Sequence, residues 1–328
     1  MPIPRPERYV LYGGELSYFT RKLEAALILY GADFEFRGKT SDVREELEMR
    51  SGTHQVPVLH TPENWLIGDT TPLLHLLDAR FPARAMFPKG PLGVLVHVLE
   101  EYFDEWVART MVHFRWHYSR SAQYAALKMS NGNEQAAATV LAWGPRACRA
   151  TGTESPRQQR AAEEEYVRIL AAMEQQLGES SYMLGDRPTA VDCILLGGLR
   201  AHTYNDPDPK EITEQYPRVV KWCKEATRQW KGTGELLPFD STTPFARFVL
   251  DEMYSTYRPY VLGNADAQQA GAKAFHVQIY GEDVSYLSRP YPEQSRRMIQ
   301  QKIVALNKHD QEAVRLWLDD VRLSDCFA

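Results

Sequence analysis

The sequence predicts an α/β domain, then an all-α domain, then a C-terminal α+β extension. Three observations carry this. The first 80 or so residues alternate short apolar runs with helical periodicity, the signature of a compact α/β unit. Beyond Pro91 almost every apolar run repeats at helical spacing. Around residues 274–287, two short alternating runs flank Gly281-Glu282, a hairpin signal. We place the units at residues 1–84, 85–235 and 236–328.

In order, residues 9–12 read as a strand, broken by Gly13-Gly14. Phe19, Leu23, Ala26, Leu27 and Tyr30 then mark one face of a helix over 18–30, ended by Gly31. A second strand follows at 32–37, and a charged helix at 41–51. Residues 55–59 and 65–67 are short apolar stretches around a Thr61-Pro62-Glu63-Asn64 turn. Asp69-Thr70-Thr71-Pro72 opens a leucine-rich helix that closes near Pro82. In the second unit, 92–119 reads as one long helix, with further helices at 136–143, 158–177, 191–203 and 217–230 and a loop at 151–155. Leu237-Pro238-Phe239 and Thr243-Pro244 form a linker. The extension then reads as a helix over 245–262, strands at 274–280 and 284–287, and one or two helices over 292–321.

Composition limits the function classes. The 328 residues are 44% hydrophobic and 25% charged, ordinary values for a globular chain. The formal net charge of −5 gives no electrostatic reason to expect nucleic acid or an anionic membrane as partner. No apolar run is long enough to span a bilayer. The start of the chain, through Ile3-Pro4-Arg5-Pro6, lacks the apolar core of a secretory signal and reads as a solvated lead-in. The four cysteines, Cys148, Cys193, Cys223 and Cys326, form no Cys-x-x-Cys pair. That spacing argues against a disulfide framework or a zinc knuckle, and the expected compartment is cytoplasmic.

Four local patterns carry chemistry. Leu16-Ser17-Tyr18-Phe19-Thr20-Arg21-Lys22-Leu23 puts a hydroxyl where the first helix begins. Free N–H groups and the positive helix end converge there, so a thiolate at that point is stabilised. Ser17 serves equally well as an N-cap. Gln55-Val56-Pro57-Val58-Leu59 places a proline at the edge of a strand. Gly68-Asp69-Thr70-Thr71-Pro72 sets an acid and a hydroxyl at another helix start, where either would serve as a cap. Tyr182-Met183-Leu184-Gly185-Asp186-Arg187-Pro188-Thr189-Ala190-Val191-Asp192 ends in a capping box between Thr189 and Asp192.

In this order and spacing, the four patterns resemble the glutathione transferase superfamily, serine type, over roughly two thirds of the chain. Tyr18 stands where the family usually has proline, and Asp69-Thr70 where it has Glu-Ser. The resemblance implies a thioredoxin-like N-terminal domain, an all-helical second domain and a two-fold homodimer. It implies glutathione as co-substrate, a small electrophilic partner and no metal. Ser17 falls at the catalytic position, with Tyr12 as its rival. Gln55, Val56 and a cis-Pro57 would hold the backbone of glutathione, and Asp69 and Thr70 its γ-glutamyl end. Trp106, Arg109 and His113, at helical spacing, would line the pocket for the electrophile or simply pack. His113 and His117 could pair on a metal only with further ligands that the sequence does not supply. Disulfide exchange is disfavoured because Ser17 and Thr20 occupy the positions a Cys-x-x-Cys pair would need. The alternative is a non-catalytic binding or assembly module on the same fold. Residues 236–328 exceed the usual family length and carry no assigned role, packing on the helical domain or covering the cleft.

Overall fold

The computed structural model describes residues 3–327. Met1, Pro2 and Ala328, at the ends of the proposed first and third units, lie outside the described residues. The chain opens with β1 (Tyr9–Gly13), α1 (Tyr18–Tyr30), β2 (Phe34–Gly38), α2 (Ser41–Ser51), β3 (Val58–His60), β4 (Leu66–Ile67) and α3 (Thr70–Arg80). The sheet order is β2-β1-β3-β4; β1 runs parallel to β2 and antiparallel to β3, and β3 runs antiparallel to β4. This is the expected thioredoxin-like arrangement.

Strand alternation divides the sheet's two faces. Leu11 and Leu59 join the main core with Leu23, Ala26 and Leu27 of α1. Val10, Tyr12, Val58 and Leu66 form a second cluster with Leu47 of α2. Ile3 is 7% exposed in that cluster, so the lead-in is not wholly solvated. Gly31 ends α1 at φ 71°, a left-handed cap that suits glycine. Of the apolar stretch at 55–59, only Val58 and Leu59 enter a strand, and the Val56-Pro57 bond before it is cis.

The helical domain begins with α4 (Pro91–Glu101), a π-helical turn (Tyr102–Val107) and α5 (Ala108–His117). The single helix read over 92–119 is therefore interrupted, and the chain turns extended at Tyr118. There follow α6 (Ser119–Met129), α7 (Glu134–Leu141), α8 (Gly144–Ala150), α9 (Pro156–Gln176), α10 (Ala190–Gly198), a second π-helical turn (Leu199–Thr203), α11 (Pro207–Thr213) and α12 (Pro217–Gln229). Sequence reading missed α6, α8 and α11. The start of α6 is fixed from outside its own segment, since Asp208 Oδ2 accepts from both the amide and the hydroxyl of Ser121 at 2.9 and 2.6 Å.

The two domains meet along α1 and α10. At Gly197 a Cβ would lie 2.7 Å from the Tyr18 carbonyl oxygen, so only glycine allows this close approach. The capping box at the start of α10 is formed. Asp192 Oδ2 accepts from the Thr189 amide at 2.8 Å and from its hydroxyl at 3.0 Å, while Oδ1 accepts from the Met183 amide. Thr189→Ala removes the hydroxyl and is expected to cost roughly 0.5–2 kcal/mol. The urea midpoint should fall with the slope unchanged; an unmoved midpoint means the hydroxyl contributes nothing.

The extension comprises α13 (Pro244–Ser255), α14 (Tyr257–Ala270), β5 (Ala274–Ile279), β6 (Glu282–Leu287), α15 (Pro290–Val304), α16 (Lys308–Asp320) and α17 (Ser324–Phe327). The helix read over 245–262 breaks at Thr256. Pro259 explains the break: it has no N–H for the Ser255 carbonyl, and its ring would clash there. β5 and β6 pair antiparallel through Tyr280-Gly281, both at positive φ. Phe275, Ile279, Val284 and Tyr286 are buried in the main core with Ile299 and Val314, so the extension is part of the folded body. Among the described residues no helix is long and apolar enough to cross a membrane. All four cysteines are free and buried.

Candidate functional site

A cavity of about 110 Å³ opens between the sheet domain, the π-helical turn after α4, and the start of α15. Gln55, Val56 and Pro57, from the loop before β3, form one wall, and Asp69 and Thr70 at the start of α3 form the next. Five of the residues predicted to hold glutathione thus converge on one space. They come from two loops that the β3–β4 hairpin brings side by side.

Asp69 has an unusual backbone, with φ 66° and ψ 117°. A non-glycine residue held there is strained, and such strain clusters at functional sites. Burial, then the charge of Asp104, raises the Asp69 carboxyl above its ordinary value, while Lys22 and the amides of Thr71 and Thr70 oppose the rise. The first amides of α3 therefore face an anion already.

Phe19 of α1 also lines the cavity, whereas Ser17 does not. Ser17 sits at the helix start, where its Oγ accepts from the Thr20 amide at 3.3 Å. It acts as the N-cap of α1, and its hydroxyl proton is left to donate. Tyr12 also lies outside the cavity wall: it is 2% exposed and packed in the cluster with Leu47 and Val58. Tyr18, in the place of the family's usual proline, donates its hydroxyl to the Phe103 carbonyl at 3.0 Å and so ties α1 to the helical domain.

The expected electrophile pocket is corrected by the structure. Trp106, Arg109 and His113 share one helix face, but that face is turned to α9 and buried. Glu165 accepts from Trp106 Nε1 at 2.8 Å and from Arg109 Nη2, and His113 Nε2 lies 2.8 Å from Glu163 Oε1. None of the three lines the cavity. The cause is the π-helical turn: each residue it adds rotates the downstream helix by about 100° relative to a plain α-helix.

In their place the turn brings Asp104 and Glu105 to the cavity. Asp104 Oδ1 stands 2.7 Å from Lys22 Nζ, which also bonds Glu100 and, at 3.1 Å, the Thr71 hydroxyl. Glu105 Oε2 stands 2.6 Å from Arg289 Nη2, and the same nitrogen is 2.7 Å from the Tyr260 hydroxyl. Arg289, Tyr291 and Gln294 close the cavity from the extension. Arg289-Pro290-Tyr291-Pro292 is polar and matches none of the four local patterns. The usable signal was the proline pair, which starts a helix and fixes where its first residues point.

The family description "Glutathione S-transferase, N-terminal domain" matches residues 11–85, and "Glutathione S-transferase, C-terminal domain" matches residues 167–226. No curated protein matches the chain. Among solved structures, a glutathione S-transferase from Rhodospirillum rubrum F11 is 18% identical, covers 68% of this chain and 89% of its own, and has a TM-score of 0.48. A glutathione transferase family member from Pseudomonas fluorescens pf-5, with two glutathione bound, is 14% identical over 68% of this chain and 90% of its own, with a TM-score of 0.46. The β-etherase LigF from Sphingobium sp. strain SYK-6 is 15% identical over 75% of this chain and 99% of its own, with a TM-score of 0.49. With the two domain matches in the family order, on a thioredoxin-like sheet followed by a helical domain, the chain belongs to the glutathione S-transferase superfamily.

Proposed function

We propose that the chain is a glutathione-dependent transferase-like enzyme that binds glutathione in this cavity and activates its thiol for attack on a small electrophile. The observation that carries the reading is the convergence of Gln55, Val56, Pro57, Asp69 and Thr70 on one space. In this reading the Val56 backbone pairs with the cysteinyl unit like an added strand. Asp69 accepts from the α-ammonium, and the start of α3 receives the α-carboxylate. Ser17 donates to sulfur from the start of α1, favouring the thiolate, whose proton passes to solvent; sulfur's lone pair forms the new C–S bond as a leaving group departs with its bonding pair or, at an activated double bond, as the π pair moves to the far atom and takes a proton.

A hydrogen bond to a charged acceptor is worth roughly 1.5–3 kcal/mol. Its loss in Ser17→Ala should therefore raise the bound thiol pKa by about one to two units. Conjugation should slow near neutral pH and recover in part at high pH. Tyr12→Phe should leave the thiol pKa where it is. The readout is thiolate absorbance against pH in the three proteins. A shift in Tyr12→Phe alone would exchange the two roles.

Two observations favour the alternative of a non-catalytic module. The cavity is smaller than the roughly 300–1,000 Å³ of pockets that enclose small ligands, and Ser17 is outside its wall. Calorimetry with millimolar glutathione separates the two: a scaffold would give no heat of binding. A two-fold homodimer and a cytoplasmic site of action are part of the proposal, and sedimentation and fractionation test them.

A further inference from the structure

Charge in the cavity poses a problem that the family segments alone do not solve. Asp69, Asp104 and Glu105 all line it. Glutathione brings two further carboxylates and one ammonium. Lys22 offsets Asp104 but is wholly buried behind the wall. Among the described residues, Arg289 is the single cationic side chain that lines the cavity. It belongs to the extension, beyond both matched family domains.

We propose that Arg289 is the anion-recognition residue of this site, releasing Glu105 to bind a carboxylate of the incoming thiol peptide. The inference rests on the glutathione reading above. Three features make the exchange physically reasonable. The Arg289 side chain is 45% exposed although its partner Glu105 is 6% exposed, so one end of the pair is accessible from the cavity. The guanidinium is a planar fork suited to carboxylates, and only its Nη2 is engaged with Glu105 and Tyr260. In this proposal the ligand enters as the segment carrying Arg289, which forms one wall of the cavity of about 110 Å³, moves outward. That movement separates Arg289 from Glu105, which stays on the helical domain. Burial pushes the Glu105 carboxyl up to about 7 against the pull of Arg289, so loss of that pull favours its protonated form while Glu105 stays buried on the helical domain. It then no longer repels the ligand. The extension thereby sets ligand class: an acidic peptide thiol is admitted, whereas a thiol without carboxylates gains nothing from the exchange.

The test is calorimetric affinity for glutathione and for its dimethyl ester, using the full chain. Arg289→Gln should weaken glutathione binding about ten- to a hundredfold and leave the diester almost unaffected. Arg289→Lys should restore part of the loss, as a point charge without the fork. Glu105→Gln should tighten glutathione binding by about three- to tenfold, because the pair that closes the site is already broken. A purely structural role for Arg289 predicts the opposite for Glu105→Gln, namely weaker binding with a lower urea midpoint, and that result overturns the inference. So does equal weakening of both ligands in Arg289→Gln. If neither the wild type nor Glu105→Gln binds glutathione, the functional reading itself fails and this inference with it. If the wild type binds and Arg289→Gln is unchanged, only this inference fails.

Discussion

Replacing Lys22 by methionine is expected to cost about 3–5 kcal/mol at neutral pH, because it strands two carboxylates in the domain interface. Lys22 is wholly buried and meets Glu100, Asp104 and the Thr71 hydroxyl at once. It lies on α1, and its two acidic partners lie on α4 and the π-helical turn, so the cluster pins the sheet domain to the helical one. The loss depends on pH in a fixed direction. Burial pushes the Glu100 carboxyl up to about 7 from an ordinary 4.5, even with Lys22 pulling it down. A carboxyl raised in the folded state contributes stability below its unfolded pKa and loses that contribution as pH climbs through the folded value. Without Lys22 the rise is larger. The deficit of Lys22→Met should therefore be greatest near pH 8 and shrink towards pH 5, as Glu100 takes a proton. Urea midpoints of wild type and variant across that range measure it. A deficit independent of pH would place the cost in packing and not in the stranded charge.

Lys22 also shows how far sequence reading could reach. Its position after Ser17 helped mark the start of α1, and Leu23, Ala26, Leu27 and Gly31 fixed that helix by spacing alone. Asp69-Thr70 and the Thr189–Asp192 box were equally legible, because a helix start is written in adjacent residues. The roles of Lys22, Glu105 and Arg289 were not. Lys22 meets Thr71 across 49 positions and Asp104 across 82, and Arg289 meets Glu105 across 184. No local pattern announces a pair at that distance. The π-helical turn was invisible for another reason. Its residues, Tyr102-Phe103-Asp104-Glu105-Trp106-Val107, keep the apolar rhythm of a plain helix. The turn nevertheless rotates the whole of α5, and Arg109 and His113 on it, like Trp106 within the turn, belong to the core and not to the cleft.

That rotated face leads to the second large effect. Glu165→Ala is expected to destabilise the chain by about 3–5 kcal/mol. Glu165 is wholly buried in α9 and accepts from four donors: Tyr102, Trp106, Arg109 and Tyr280. Removing it leaves the Arg109 guanidinium, 3% exposed, without a counter-charge. Nε and Nη1 of Arg109 have no partner to begin with, so the group cannot fall back on other bonds. The Tyr280 hydroxyl is the hairpin's tie to this cluster, at 3.1 Å from Glu165. The variant should therefore loosen the extension as well as the helical domain, and trypsin should cut sooner at Lys273, just before β5. A paired change, Arg109→Met with Glu165→Leu, removes both charges and restores apolar packing. Such replacements are neutral or stabilising by about 1–4 kcal/mol. The double variant should thus recover most of the urea midpoint lost by Glu165→Ala, while trypsin sensitivity stays partly raised because Tyr280 still lacks its acceptor. If the double variant is no more stable than Glu165→Ala, the cost lies in the lost tyrosine and tryptophan hydrogen bonds and not in the unpaired guanidinium.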